Sequence, residues 1–352
     1  MELSVLQNVL LYALILLVLV LPLSVHKVEE NLEAFLFCCG AFAVTVTNSW
    51  SWHLIKTALE DPITITVAVF VAGLLFKFSH KLLKTVTHKT VATIGLRATM
   101  ALTVFLLGMT SSLITAIIAA LILSEVVLLL PLQRKARIQL VVYCCYAIGM
   151  GAVLTSIGEP LGTIVLSKLK GEPYNAGFWF LVEHLGWYVL AGNVILAALA
   201  ARIKCNEQNE TKETKKEISV TEHSIKNIFV RAAKVYLFVM ALVMLGDGLK
   251  PLAEKTISHL SANALYFINM LSAILDNATL AAIEITPDIS MRNLMFLLLS
   301  LIISGGMLIP GNIPNIICAS KLKIKSKEWA KAALPLGAVL MVGYFIVLSI
   351  IL

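Results

Sequence analysis

Asp276 and Asn277, with Ser272 one helical turn before them, place a carboxylate, an amide carbonyl and a hydroxyl together in an otherwise apolar stretch. Hard oxygen donors of this kind suit cations such as sodium. A second group runs Thr155-Ser156-Ile157-Gly158-Glu159-Pro160-Leu161-Gly162, and a third runs Pro310-Gly311-Asn312-Ile313-Pro314-Asn315. Proline lacks the backbone donor that a helix interior needs, and glycine weakens a helix, so both segments are expected to break a helix and free its carbonyls. Inside a membrane such backbone survives only where protein buries it or where it lines a wet cavity. A charge at the centre of a membrane helix costs at least about 2.5–3.5 kcal/mol, so Glu159 and Asp276 need a reason to exist. Two readings stand. Each acid is a protonated, hydrogen-bonded structural group, or it is a carboxylate neutralised in turn by a cation and by a proton. The second is the expectation here, with Asp276, Asn277, Ser272, Glu159, Thr155, Ser156, Gly158, Asn312 and Asn315 as the candidate ion-binding residues. Ser111, Ser112 and Thr115 join them as the polar centre of an earlier apolar stretch.

Other polar groups carry weaker signals. Glu183-His184 is a candidate proton relay, with a packed, satisfied histidine as the alternative. Glu125 and Glu284 fall on the outgoing arms of two long apolar stretches, where a functional charge and a side chain reaching toward the membrane interface are equal alternatives. Asp247 is expected at the solvated outer end of a span. Five of the six cysteines fall in apolar spans without zinc-ligand spacing, which points to packing. Asn209-Glu210-Thr211 matches a glycosylation acceptor, in a loop assigned to the cytoplasm. No phosphate-binding loop, nucleophile elbow or metal-ligand cluster is visible, and no cofactor is implied. An intramembrane aspartyl protease using Asp247 and Asp276 is a remote alternative, since its paired signatures are absent.

The elements that must hold these groups follow from composition. The 352 residues are 59% hydrophobic and 14% charged, with a mean hydropathy of +0.89, so the lipid bilayer is the expected partner and nucleic acid is not, despite a net charge of +7. Spans are expected at 4–25, 32–49, 62–77, 138–165, 176–201, 229–249, 293–318 and 333–352. The first is expected to be a retained helix rather than a cleaved signal, because no basic flank precedes it. Residues 77–97 read as a basic amphipathic helix on the cytoplasmic surface. The stretches 98–130 and 257–290 are too long for one helix and are interrupted at Thr110-Ser111-Ser112 and at Ser272 and Asp276-Asn277. Re-entrant hairpins there divide the lysines and arginines 21 to 6 between the two sides, whereas two simple crossings divide them 15 to 12. The positive-inside rule favours the hairpins and puts both termini outside a cell membrane, with the 202–228 linker inside.

The segment from Gly158 to Leu169 aligns without gaps on Gly311 to Leu322, with five of twelve positions identical. The hairpin centres align at a shift of 161 residues, placing Ser111 on Ser272 and Thr115 on Asp276. The expected fold is therefore an all-α polytopic membrane protein in one membrane domain. Scaffold helices occupy 1–61, repeat 1 occupies 62–201 and an inverted repeat 2 occupies 229–352, each repeat with a re-entrant hairpin and a discontinuous helix.

Ser272-Ala273-Ile274-Leu275-Asp276-Asn277 and Thr155-Ser156-Ile157-Gly158-Glu159-Pro160 together resemble the paired motifs of the ArsB/NhaD ion transporter superfamily. The chain also resembles a compact archaeal and bacterial group of predicted cation transporters. The first hairpin departs from the pattern, because Ser111-Ser112-Leu113-Ile114-Thr115 contains no acid-asparagine pair. The resemblance implies scaffold and mobile transport subdomains and a homodimer. The expected function is sodium/proton antiport or another proton- or sodium-coupled cation movement. Sodium-coupled movement of a small anion, a dicarboxylate or an oxyanion, is the alternative, with helix N-termini holding the anion.

Overall fold

The computed structural model describes residues 3–25, 27–28, 31–205, 225–257, 261–274 and 277–352, with the side chains of 72, 73, 75–82, 225–227, 231, 254–257, 262 and 279 excepted. Among these residues every regular element is helical. The helices are α1 (Val5–Ser24), α2 (Leu32–Val46), α3 (Trp52–Ile114), α4 (Ala116–Leu129), α5 (Arg134–Ala152), α6 (Pro160–Lys168), α7 (Phe180–Ala201), α8 (Ile225–Ile257), α9 (Ala262–Ile268), α10 (Asn277–Glu284), α11 (Met291–Gly305), α12 (Ile313–Leu322) and α13 (Ser326–Ile351). Among the described residues five helices or helix segments are long and apolar enough to cross a membrane: Val5–Ser24, Leu83–Ile114, Phe180–Ala201, Ile228–Ala253 and Ser326–Ile351. Shorter apolar helices cover Leu32–Val46, Ala116–Leu129 and Met291–Gly305.

Two helices form the centre. From Leu140 to Ala152, α5 is buried at every position except Tyr143, and α11 is buried from Leu294 to Gly305. A helix that is apolar on all sides belongs in a core. The two pack on each other, with α3 and α7 against α5 and with α9 and α13 against α11. On the flank, α2 lies along α8, and Gln7 of α1 donates from Nε2 to the Val46 carbonyl at 2.7 Å. Ser4 and Gln7 close a capping box at the start of α1.

Both central helices stop a few residues ahead of the segments where glycine and proline predict a break. α5 ends at Ala152 and the chain is non-helical until Pro160 starts α6, while α11 ends at Gly305 and a single 3-10 turn at Ile309–Gly311 leads to α12. The glycines permit close crossings. A Cβ on Gly158 would lie 2.0 Å from the Ala152 carbonyl oxygen, and one on Gly311 would lie 2.5 Å from the Gly305 oxygen.

Several expectations need correction. The span at 62–77 and the surface helix at 77–97 are not separate elements, because α3 continues through both and breaks only at Gly95, where φ is +82°. Between Pro62 and Gly95 the sequence offers one glycine and no proline to stop a helix. The break within 98–130 falls at Thr115, not at Thr110-Ser111-Ser112. There the hydroxyls donate to the helix's own carbonyls, Thr110 to Leu106, Ser111 to Gly108 and Ser112 to Met109, so α3 runs on to Ile114. α8 continues eight residues past the expected span end at 249, so Asp247 lies inside the helix rather than at its outer end. Most of the polar linker, 206–224 with Asn209, lies outside the described residues. All six cysteines are free.

Candidate functional site

Four helix starts converge on one cavity of about 780 Å³. They are Ala116 and Ile117 of α4, Pro160 and Leu161 of α6, Asn277 and Ala278 of α10, and Ile313 of α12, with the cap residues Glu159 and Asn312 beside them. The starts of helices carry unpaired N–H groups and the positive end of the helix dipole. Glu159 and Asn312 cap α6 and α12 with nearly the same extended backbone, φ −157°, ψ 163° and φ −154°, ψ 147°. Each is followed by a proline in the first turn, which supplies the helical φ without losing a donor the helix would use.

The starts are tied to one another. Ala116 N donates to the Gly158 carbonyl at 2.9 Å, fixing α4 to the bend before α6. Thr115, between α3 and α4, has φ 72° and ψ 148°, a region that costs a β-branched residue about 1–3 kcal/mol. Its Oγ1 accepts from Ile118 N at 3.3 Å and caps α4. In the other half, Ser272 Oγ donates to Asn277 Oδ1 at 2.7 Å, and Asn277 packs over Gly305 at the end of α11. Ser111 Oγ also reaches the Ile148 carbonyl at 3.0 Å, and Ser272 Oγ reaches the Leu301 carbonyl at 3.2 Å. Ser111 and Ser272 are 161 residues apart and Ile148 and Leu301 are 153 apart, the same two shifts that align the sequence.

The rim is acidic. Glu60 and Asp61 of α3 and Asp247 of α8 join Glu159 on the wall, against Lys250 and His53. Glu60 also lies 3.9 Å from Lys56. Val239, Leu242, Val243 and Ile283 complete the wall with apolar surface.

Of the predicted site residues, Glu159, Gly158, Asn277 and Asn312 line the cavity. Ser272, Asn315, Thr155, Ser111 and Ser112 are buried behind it and hold backbone. Asn315 Nδ2 donates to the carbonyls of Gly305 (2.8 Å) and Leu308 (2.9 Å), and Thr155 Oγ1 donates to Ser112 O at 2.5 Å. Ser156 contributes its carbonyl to the Thr163 hydroxyl at 2.9 Å. Asp276 lies outside the described residues, and so does any pairing of it with Asp247. Glu183 and His184 are not brought to the cavity. Glu183 is exposed in the first turn of α7, and His184 Nδ1 lies 2.8 Å from the Phe180 carbonyl, with the Phe180 ring beside it.

Glu125 and Glu284 are both buried in protein. Glu125 of α4 forms an ion pair with Lys321 of α12, both side chains being only 5% exposed, so Lys321 does not belong to the basic surface. Glu284 is 8% exposed and accepts from Asn269 Nδ2 at 3.0 Å. The cavity roles of Glu60, Asp61, Asp247 and Lys250 carry no motif. Only the helical pairing of α3 with α8 makes them neighbours. Among the described residues no group of three His, Cys, Asp or Glu could hold a metal ion.

A family model described as a protein of unknown function (DUF1646) matches residues 8–351. None of the curated proteins matches the chain.

Proposed function

The chain belongs to the DUF1646 family, whose description gives no activity, and we propose from its own residues that it is a secondary cation transporter, a sodium/proton antiporter or another sodium- or proton-coupled carrier. The observation that carries this reading is the charge of the cavity wall. Glu60, Asp61, Glu159 and Asp247 face Lys250 and His53 there, and an apolar-walled cleft with excess negative charge concentrates cations. The oxygen donors of Glu159, Asn277 and Asn312 meet at the convergence of four broken helices, a place where a dehydrated cation finds replacement ligands.

Alternating access follows from the architecture this reading adopts. The two halves are inverted repeats, and 98–130, with its turn at Thr115, and 257–290 are re-entrant hairpins. The matched hydroxyl-to-carbonyl contacts of Ser111 and Ser272, and the matched caps Glu159 and Asn312, support it. Lys250 of the cavity wall, and Lys56 beside Glu60, fall on the lysine-poor side of the chain. The cavity therefore opens outward, away from the basic loops, with both termini outside a cell membrane. Toward the inside, α4 and α12 are closed on each other by the Glu125–Lys321 pair.

One observation favours a second reading, movement of a small anion. Four helix N-termini in one cavity could hold a carboxylate or oxyanion. Reconstitution into liposomes with a pH-sensitive dye separates the two. Addition of sodium, lithium, potassium and calcium in turn is expected to drive proton movement with at least one of them. Absence of proton movement with all four, together with uptake of labelled succinate or arsenite, would overturn the cation reading.

A further inference from the structure

Behind the cavity lies a buried polar cluster that the proposed site does not use. Asn269, at the start of the 3-10 turn Asn269–Ala273, is 1% exposed, and Glu284, at the end of α10, is 8% exposed. Asn269 Nδ2 donates to Glu284 Oε2 at 3.0 Å and to Ser300 Oγ at 2.9 Å. Two buried oxygens beside this bond, Asn269 Oδ1 and Glu284 Oε1, have no hydrogen-bond partner among the described residues. Leaving such atoms unsatisfied costs about 1–3 kcal/mol each, and more when one is charged. An amide and a carboxylic acid can pair through two parallel bonds, N–H to one oxygen and O–H to the other. The first of these bonds is in place. A single proton on Oε1 would supply the second and satisfy both orphan oxygens at once.

Among the described residues no Lys, Arg or His forms an ion pair with Glu284. The 3-10 turn carries no titratable side chain. On α11, Arg292 lies at the exposed start over the Phe296 ring. On α6, Lys168 is exposed. On α8, Lys234 pairs with Glu33, the Tyr236 hydroxyl donates to Leu59 O, and Asp247 and Lys250 face the cavity.

The cluster is connected to the cavity. Asn277 on the cavity wall accepts from Ser272 Oγ at 2.7 Å, and Ser272 Oγ lies 2.8 Å from Ser304 Oγ. Ser304 Oγ donates to the Asn269 carbonyl at 2.7 Å. A change at Asn277 is thus passed through two hydroxyls to the residue that holds Glu284.

We propose that Glu284 is a proton-binding site, held as the neutral acid with its Oε1 proton shared with Asn269 Oδ1, and that it releases this proton when a cation enters the cavity. The release step rests on the cation reading above. The Oε1–H bond breaks, its electron pair stays on the carboxylate and the proton passes to cavity water. The arriving cation compensates the new negative charge.

Infrared difference spectroscopy of the purified protein, with and without sodium at fixed pH, tests this directly. The wild type is expected to show the carbonyl band of a protonated carboxyl, shifted in heavy water and lost in Glu284→Gln, and sodium should diminish it. Asn269→Ala should shift the same band, which keeps the assignment testable if Glu284→Gln folds poorly. In liposomes Glu284→Gln should lose cation-driven proton movement at least tenfold while keeping thermal stabilisation by sodium. A band that persists in Glu284→Gln, or that saturating sodium leaves unchanged, overturns the proposal. So does full proton coupling in Glu284→Gln beside an active wild type, which leaves the cation reading standing. A wild type that moves no protons with any cation instead overturns the cation reading and the release step with it.

Discussion

At the residue scale the strongest expectations concern Asp276 and Glu159. Amide substitution keeps shape and hydrogen-bonding capacity while removing the charge a cation would meet. Asp276→Asn is expected to abolish coupled ion flux in liposomes and to lack the thermal stabilisation by sodium that mass action predicts for the wild type. Glu159→Gln should do the same or strongly shift the pH dependence of flux. Full flux and unchanged sodium stabilisation in both would remove these residues from the site. Glycines give a separate check on the fold. A methyl on Gly158 meets the Ala152 carbonyl oxygen at 2.0 Å, a backbone atom that cannot swing away. Gly158→Ala should therefore cost about 1–3 kcal/mol in detergent denaturation, the usual price of overpacking, whereas Gly171→Ala, with open space around it, should cost far less. Glu159 and Asn312 are legible in the sequence because proline and glycine mark the breaks they cap. Glu60 and Asp61 are not, since acids ahead of an apolar run look like ordinary loop residues until α8 is laid beside α3.

At the element scale, α4 and α12 share a charge pair buried on both sides, Glu125 with Lys321. Its value for net stability is small, because desolvation offsets most of the attraction, but stranding one charge costs about 3–5 kcal/mol. Glu125→Leu or Lys321→Leu alone should lower stability by that order, and the double variant should recover much of the loss. Thermal unfolding of the three variants measures it. Additive losses in the double variant would show that the pair is not energetically coupled. Neither residue announces this role in sequence. Glu125 sits in an apolar run and Lys321 at the head of a basic one, and 196 residues separate them. The breaks ahead of α6 and α12 were legible from glycine and proline to within a few residues. The turn at Thr115 was not, because a threonine at φ 72° has no compositional mark and the serines nearby bond back into their own helix.

At the scale of the whole molecule, the charge bias makes a topological prediction. Lys89 and Lys135 are both exposed, and re-entrance of 98–130 puts them on the cytoplasmic side. Single cysteines at these positions, in a background without the six native ones, should resist an impermeant maleimide in intact cells and react once the membrane is opened. Labelling of position 135 alone from outside would refute the hairpin. The all-helical, membrane-embedded character is plain from hydropathy, whereas which helix packs on which is a property of the assembled chain. One such packing has a consequence for how the protein is made. α4 leans on α12, and α6 leans on α10, so each half is completed by a helix of the other. Ribosomes add about 5–20 residues per second, and Lys321 follows Glu125 by 196 residues, so the acid waits on the order of ten to forty seconds for its partner. During that interval the first half sits in the bilayer with an uncompensated carboxyl and an uncovered helix face. Biogenesis must shelter both until the last third of the polypeptide has left the ribosome.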